Sequence, residues 1–198
     1  MAFRIQAANG ISGKDALDAF SKACKFLEKS NLAKEIISDL RDHNKIITIK
    51  VGPGLVDKYR HPTQPTDSAF VGTVEWDPGY ALNVVDKVKS RPQQPWVPNK
   101  KESKPFWACC GTRAPINHYG TIPPEVCLMH ELGHVLQYLS NPDEFRGLFR
   151  KPDGMENVMG KMEVEDINTA AVEQPVILEL RAAGVNMGIR WDYYHTAD

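Results

Sequence analysis

The 198-residue chain is long enough to bury most of its apolar surface around one core, so a single domain over residues 1–198 is expected. With 42% apolar and 25% charged residues it has the composition of a globular protein, and a net charge of −1 gives no field to hold nucleic acid or an anionic membrane. No apolar run reaches membrane-spanning length, and the stretch Met1 to Phe20 lacks the continuous apolar segment of a Sec-type signal peptide. The expectation is a monomer that either stays in the cytoplasm or is exported without a cleaved signal.

From Gly13 to about Leu40, apolar residues recur at helical spacing (Leu17, Phe20, Cys24 and Leu27, then Ile36, Ile37 and Leu40), with Ser30-Asn31 as a cap between two helices. Ile46 to Gly52 alternates and is β-branched, which predicts a strand. A second short strand is expected at Thr73–Trp76, ended by the turn Asp77-Pro78-Gly79. Ser90 to Pro124, rich in Pro, Lys, Gln and Gly, reads as a long surface segment; loops of that length in a compact domain are usually functional, and this one is expected to flank a cleft.

Pro123-Pro124 opens the next helix, since proline's missing N–H costs nothing in a first turn. That helix is expected to run to about Leu139 and to stop near Ser140-Asn141-Pro142, followed by a loop holding Gly147, Pro152, Gly154 and Gly160. Further helix occupies roughly Lys161 to Ala183, with an interruption at Pro175. The cysteines Cys24, Cys109, Cys110 and Cys127 form no CxxC pair and read as reduced thiols rather than a disulfide framework or a cysteine zinc site.

The proline-led helix contains His130-Glu131-Leu132-Gly133-His134, an HExxH match. Residues four apart in a helix are neighbours on one face, so both imidazoles can reach one ion, and neutral imidazole suits Zn²⁺. Glu131 projects beside the pair, placed to accept a proton from an attacking water. The surrounding Val126, Cys127, Leu128, Met129, Leu132, Gly133, Val135 and Leu136 are all uncharged, as a buried active-site helix requires. A thiol nucleophile at Cys109-Cys110, with His118 nearby, lacks a partner set. His118 and Tyr119 read as a surface turn.

A catalytic zinc site keeps three protein donors. The extended HExxHxxGxxH is absent, because Gln137 and Ser140 stand where its glycine and third histidine would fall. That leaves Asp143, Glu144, Asp153, Glu156, Glu163, Glu165, Asp166, Glu173, Glu179 and His195 as candidates.

Three stretches resemble the NleD-type bacterial effector metallopeptidases. Thr73 to Pro78 resembles that family's strand ending in W-D-P, and Pro123 to His134 its proline-led L-x-H-E-L-x-H helix. Glu173 to Leu180, followed by Arg190-Trp191-Asp192-Tyr193, resembles its closing E-N-x-I-R-x-E-L…R-x-x-Y segment, with Gln174 in place of the asparagine and a longer spacing to Arg190. The resemblance implies an α+β, zincin-like fold. In that plan a small, mostly antiparallel sheet covers the HExxH helix, helical segments stand at both ends, and the sheet edge can hold an extended substrate.

It also implies zinc, Glu173 as the third ligand ahead of Glu165, Asp166 and Glu179, and a selective effector or toxin that cuts a host protein in the host cytosol. In the tail, Tyr193 is the candidate donor to an oxyanion, with Arg190 and Tyr194 beside it. A catalytically silent binding module and a hydrolase of non-peptide amides are the alternatives. An intact Glu131 argues against the first, because a binding module needs no general base.

Overall fold

A computed structural model describes residues 3–62, 70–86, 118–149, 155 and 157–190. In it the chain forms a four-stranded sheet and a two-stranded ribbon around a helix buried on every side. Strand β1 (Phe3–Ala7) leads into α1 (Gly13–Leu27) and α2 (Asn31–Asp42), the helical pair expected from the periodicity. The Ser12 side chain accepts from the Asp15 N–H to cap α1, and Ser30 accepts from the Ala33 N–H to cap α2. The Glu179 carboxylate strengthens the second cap by accepting from the Ser30 hydroxyl at 2.8 Å and the Leu32 N–H at 3.1 Å.

Strands β2 (Ile46–Val51), β3 (Lys58–Arg60) and β4 (Phe70–Trp76) complete the sheet in the order β1-β2-β4-β3. The expected mostly antiparallel sheet is corrected here. β1 pairs with β2, and β2 with β4, in parallel; only β3 runs antiparallel, with Tyr59 opposite Val74. For β1 and β2 the reason lies in the connection, since the α1–α2 crossover carries the chain back to the end of the sheet at which β1 began. A separate antiparallel ribbon joins β5 (Leu82–Asp86) to β6 (His118–Ile122), so His118 and Tyr119 belong to a strand rather than a turn. The Pro-rich segment expected to border a cleft lies, up to residue 117, outside the described residues.

The turn after β4 forms as expected. Asp77 accepts from the N–H groups of Gly79 at 2.8 Å and Gly54 at 2.7 Å, while its own N–H donates to Asp57. Beside it the Trp76 indole donates to the Pro124 carbonyl at 2.7 Å, fastening the end of β4 to the start of α3 (Pro124–Ser140). Every residue of α3 from Val126 to Val135 is buried, which explains why that stretch is uncharged apart from the residues of its motif.

Two features depart from the expected helices. A further helix, α4 (Pro142–Phe149), fills the start of the anticipated loop. Asn141 accepts from the Glu144 N–H and donates to the Glu144 carboxylate, a capping pair that Pro142 in the first turn complements. Downstream, α5 (Val158–Asn168), a π-helical turn (Thr169–Glu173) and α6 (Gln174–Ala182) follow without a break. The anticipated interruption at Pro175 takes the form of that π-turn. Proline has no N–H to give the preceding turn and its ring crowds the carbonyl four residues back, which a widened turn relieves. Among the described residues no helix is long and apolar enough to cross a membrane.

α3 packs against β3, β4, α1 and α2, and also against α4, α5 and the π-turn. The last contact depends on Gly133. A Cβ there would lie 2.0 Å from Asn168 Oδ1 and 3.2 Å from Val172 Cγ2, while Asn168 Nδ2 donates to the His130 carbonyl at 2.7 Å. Gly133→Ala should therefore destabilise the protein by about 1–3 kcal/mol, the usual scale of overpacking, despite alanine's better helix propensity. A urea midpoint equal to or above that of the parent protein would show that the two helices can separate at no cost.

Candidate metal centre

His130 and His134 project from one face of α3, four residues apart, with their rings edge-to-face at 4.7 Å between centroids. Their Nε2 atoms lie 3.1 Å apart, and Glu165 Oε2, reaching in from α5, is 3.0 Å from one and 3.1 Å from the other. Three donors bound at about 2.0–2.1 Å on the corners of a tetrahedron would stand about 3.3 Å apart, so this triangle is within a few tenths of an ångström of fitting a small divalent ion. His130, His134 and Glu165 thus form a largely buried group able to bind a metal ion.

The sequence-predicted residues divide clearly. His130, Glu131 and His134 come together as expected. Glu173, expected as the third ligand, is placed elsewhere. Its Oε2 lies 2.9 Å from Nδ1 of His130, the nitrogen facing away from the donor triangle. Arg190 holds it there, with Nε 2.7 Å from Oε1 and Nη2 2.5 Å from Oε2. Both groups are almost fully buried, the side chains 6% and 1% exposed, so the pair is shielded from solvent competition. In the neutral ring, with Nδ1–H donating to Glu173, Nε2 of His130 is left as a lone pair aimed at Glu165 and His134. Glu165, the expected alternative to Glu173, is the third member of the group that could hold an ion.

Asp166 and Glu163 are exposed on α5, and Glu179 is occupied at the α2 cap. Arg190, weighed as an oxyanion donor, is turned toward Glu173 and lies 3.3 Å from His130 Nδ1. Tyr193, Tyr194 and His195, like Cys109, Cys110, Asp153 and Glu156, lie outside the described residues. Cys24 and Cys127 are free, buried thiols.

Sequence reasoning passed over Gln137, whose Oε1 is 2.8 Å from Nδ1 of His134 and whose Nε2 donates to the Val164 carbonyl at 3.1 Å. It also missed Asn168. One signal was present: Glu165, Asn168 and Val172 recur at i, i+3 and i+7, so one helical face carries them all toward α3.

The electrostatics follow from burial and these pairings. Burial alone would depress the His130 imidazole, but the Glu165 and Glu173 carboxylates overcome it and push it up to about 9. Burial would raise both carboxylates. His130 and His134 instead bring Glu165 down to about 2, and His130 with Arg190 does the same to Glu173. Glu131 goes the other way. Its desolvation raises it above the ordinary carboxylate range, against the pull of His134, His130 and a hydrogen bond from the Tyr59 N–H of edge strand β3. Phe145, edge-to-face with His134 at 6.4 Å and packed on Tyr138, forms an apolar wall beside the pair.

Substitutions should separate these roles in a competition titration against a chromophoric chelator. His130→Ala, His134→Ala and Glu165→Ala should each cost at least about 100-fold in affinity for a divalent ion, and Glu173→Gln about 10–100-fold, the scale for a group that orients a ligand. Glu179→Ala should cost nothing. Full affinity in Glu165→Ala together with complete loss in Glu173→Ala would reverse the assignment.

The metal-free protein should also show a stability window. His130 is raised from 6.5 to about 9, so its contribution is full below 6.5 and is lost as pH rises through about 9. Glu165 and Glu173, lowered from 4.5 to about 2, contribute fully above 4.5 and lose that as pH falls toward 2. Melting temperatures from pH 2 to 10 should peak between about 4.5 and 6.5; a maximum above pH 9 would contradict the His130 environment. Comparison with family models, with curated proteins and with solved structures finds no match to this chain.

Proposed function

We propose that the protein is a zinc-dependent endopeptidase, with His130, His134 and Glu165 holding the ion and Glu131 as the general base. The observation that carries this reading is the position of Glu131. It is a buried carboxylate of raised proton affinity, on the same helix as two imidazoles that converge with a third donor. Two neutral imidazoles and one carboxylate are a donor set that suits zinc, with a fourth position left for water or substrate. When bound, the ion supplies Lewis-acid polarisation of the scissile carbonyl and makes water more acidic.

The remaining chemistry belongs to the chain. Glu131 accepts one proton as the water oxygen forms its bond to the carbonyl carbon, and passes that proton to the amine nitrogen as the C–N bond breaks. The Tyr59 N–H holds the Glu131 carboxylate in place, and burial keeps its proton affinity high enough for acceptance and return. β3, the antiparallel edge strand beside α3, supports the binding of an extended peptide by backbone pairing. Tyr193, three residues beyond Arg190, is the candidate donor to the oxyanion. The resemblance to NleD-type effectors adds the substrate class, a host protein cut at a restricted site.

The test is a proteome-derived peptide library incubated with zinc-loaded protein. The parent protein should cleave a narrow set of sequences, and Glu131→Gln should keep its zinc while losing at least about 10²-fold in rate. Parental turnover in Glu131→Gln would remove it as the base. A zinc-loaded protein that cleaves no peptide in the library would remove the peptidase reading.

A further inference from the structure

We infer that Gln137 is a positioning residue of the metal centre, fixing the tautomer of His134 and tying its ring to the helix that supplies Glu165. The inference rests on the metal-binding reading of the site. Its geometry leaves little freedom. The Val164 carbonyl can only accept, so the Gln137 amide must turn its NH₂ toward it, at 3.1 Å. That turns Oε1 toward His134, where it sits 2.8 Å from Nδ1. An amide oxygen can only accept, so the proton of a neutral His134 belongs on Nδ1. Nε2 is then a lone pair pointing at His130 Nε2 and Glu165 Oε2.

The two histidines reach the same tautomer by different chemistry. Behind His130 stands a carboxylate locked by a guanidinium; behind His134 stands a neutral amide. The amide does something a carboxylate could not. Because it both accepts and donates, it joins the ring to the backbone of Val164, the residue immediately before Glu165. The position of the second ligand and that of the third are set by one side chain. Placed three residues beyond His134 on the same helix, Gln137 stays beside the ring whatever the rest of the chain does.

Two variants separate the two hydrogen bonds. Gln137→Met is close to isosteric and removes both. Gln137→Glu keeps an acceptor for Nδ1–H and removes the donor to Val164. The first readout needs no metal: imidazole ¹⁵N shifts of His134 in histidine-labelled, metal-free protein in alkaline buffer. The parent and Gln137→Glu should show Nδ1 protonated, and Gln137→Met should shift to the Nε2–H form. The second uses Co²⁺ alone as the probe. Gln137→Met should bind it about 10–100-fold more weakly, with altered visible absorption, and Gln137→Glu, which keeps the tautomer but loses the tie to Val164, should fall between it and the parent.

Nε2–H in the parent protein overturns the inference whether or not any variant folds. So does a Gln137→Met protein with the parental tautomer and cobalt affinity, even if it melts earlier. A parent protein with the Nδ1–H tautomer that takes up no Co²⁺ would instead sink the metal reading and leave the role of Gln137 in setting the ring standing.

Discussion

One imidazole lies between two carboxylates. His130 presents Nε2 to Glu165 and Nδ1 to Glu173, at 3.0 and 2.9 Å, and both carboxylates come from a single continuous helical run. Residues eight apart in an unbroken α-helix are separated by about 12 Å along the axis and about 80° around it. The π-turn from Thr169 to Glu173 lies between them and changes the rotation of everything after it relative to α5. α5 can then aim Glu165 at the outer nitrogen while the end of the π-turn brings Glu173 and, through it, Arg190 to the inner one. The proline that makes a regular helix impossible at this point therefore coincides with the position where a regular helix would serve the site least.

The rest of the fold keeps α3 where this clamp can hold it. A helix enclosed on every side cannot be positioned by amphipathicity, because it has no polar face to turn toward water. Its orientation rests on particular contacts. The Trp76 indole bonds the carbonyl at its first residue, Gly133 admits Asn168, and Asn168 bonds the carbonyl of His130 itself. The parallel core of the sheet delivers Trp76 to the start of α3, while antiparallel β3 lays the Tyr59 N–H against Glu131. Each of these links ends within one turn of a functional side chain or at the helix start.

What could be read from the sequence follows the range of the interactions. Helices α1, α2 and α3, two strands and the turn at Asp77 are local events, with caps, periodicity and breakers written in neighbouring residues. The HExxH pair is local too. Strand β1 went unread because five residues of mild alternation, Phe3 to Ala7, carry little signal until a parallel partner is present. α4 stands where a loop is expected, although Asn141, Pro142 and Glu144 spell its start. The third donor was not legible in kind. Glu165 and Glu173 are both acids on one helical run, and what sets Glu173 apart is its pairing with Arg190, 17 residues away. No spacing rule encodes that choice.

The charges of the site bear on the kind of ligand it could hold. With neutral imidazoles, the buried or largely buried Glu131, Glu165 and Glu173 outweigh Arg190 by two negative charges, with the Phe145 ring against His134 on one side. Such an excess is costly in a medium of low polarisability, and the protein relieves it where it can. His130 holds a proton up to about 9, and Glu131 rises above the ordinary carboxylate range. A dication relieves the same excess without protonating either group. Uptake of such an ion would be a displacement: the proton would leave His130, Nε2 would become a donor, and Glu131 would sit beside a positive charge that favours its ionised form. The electrostatics that oppose an uncompensated cluster of acids inside the fold are the same ones that would favour a divalent ion and the ionised form of the Glu131 carboxylate beside it.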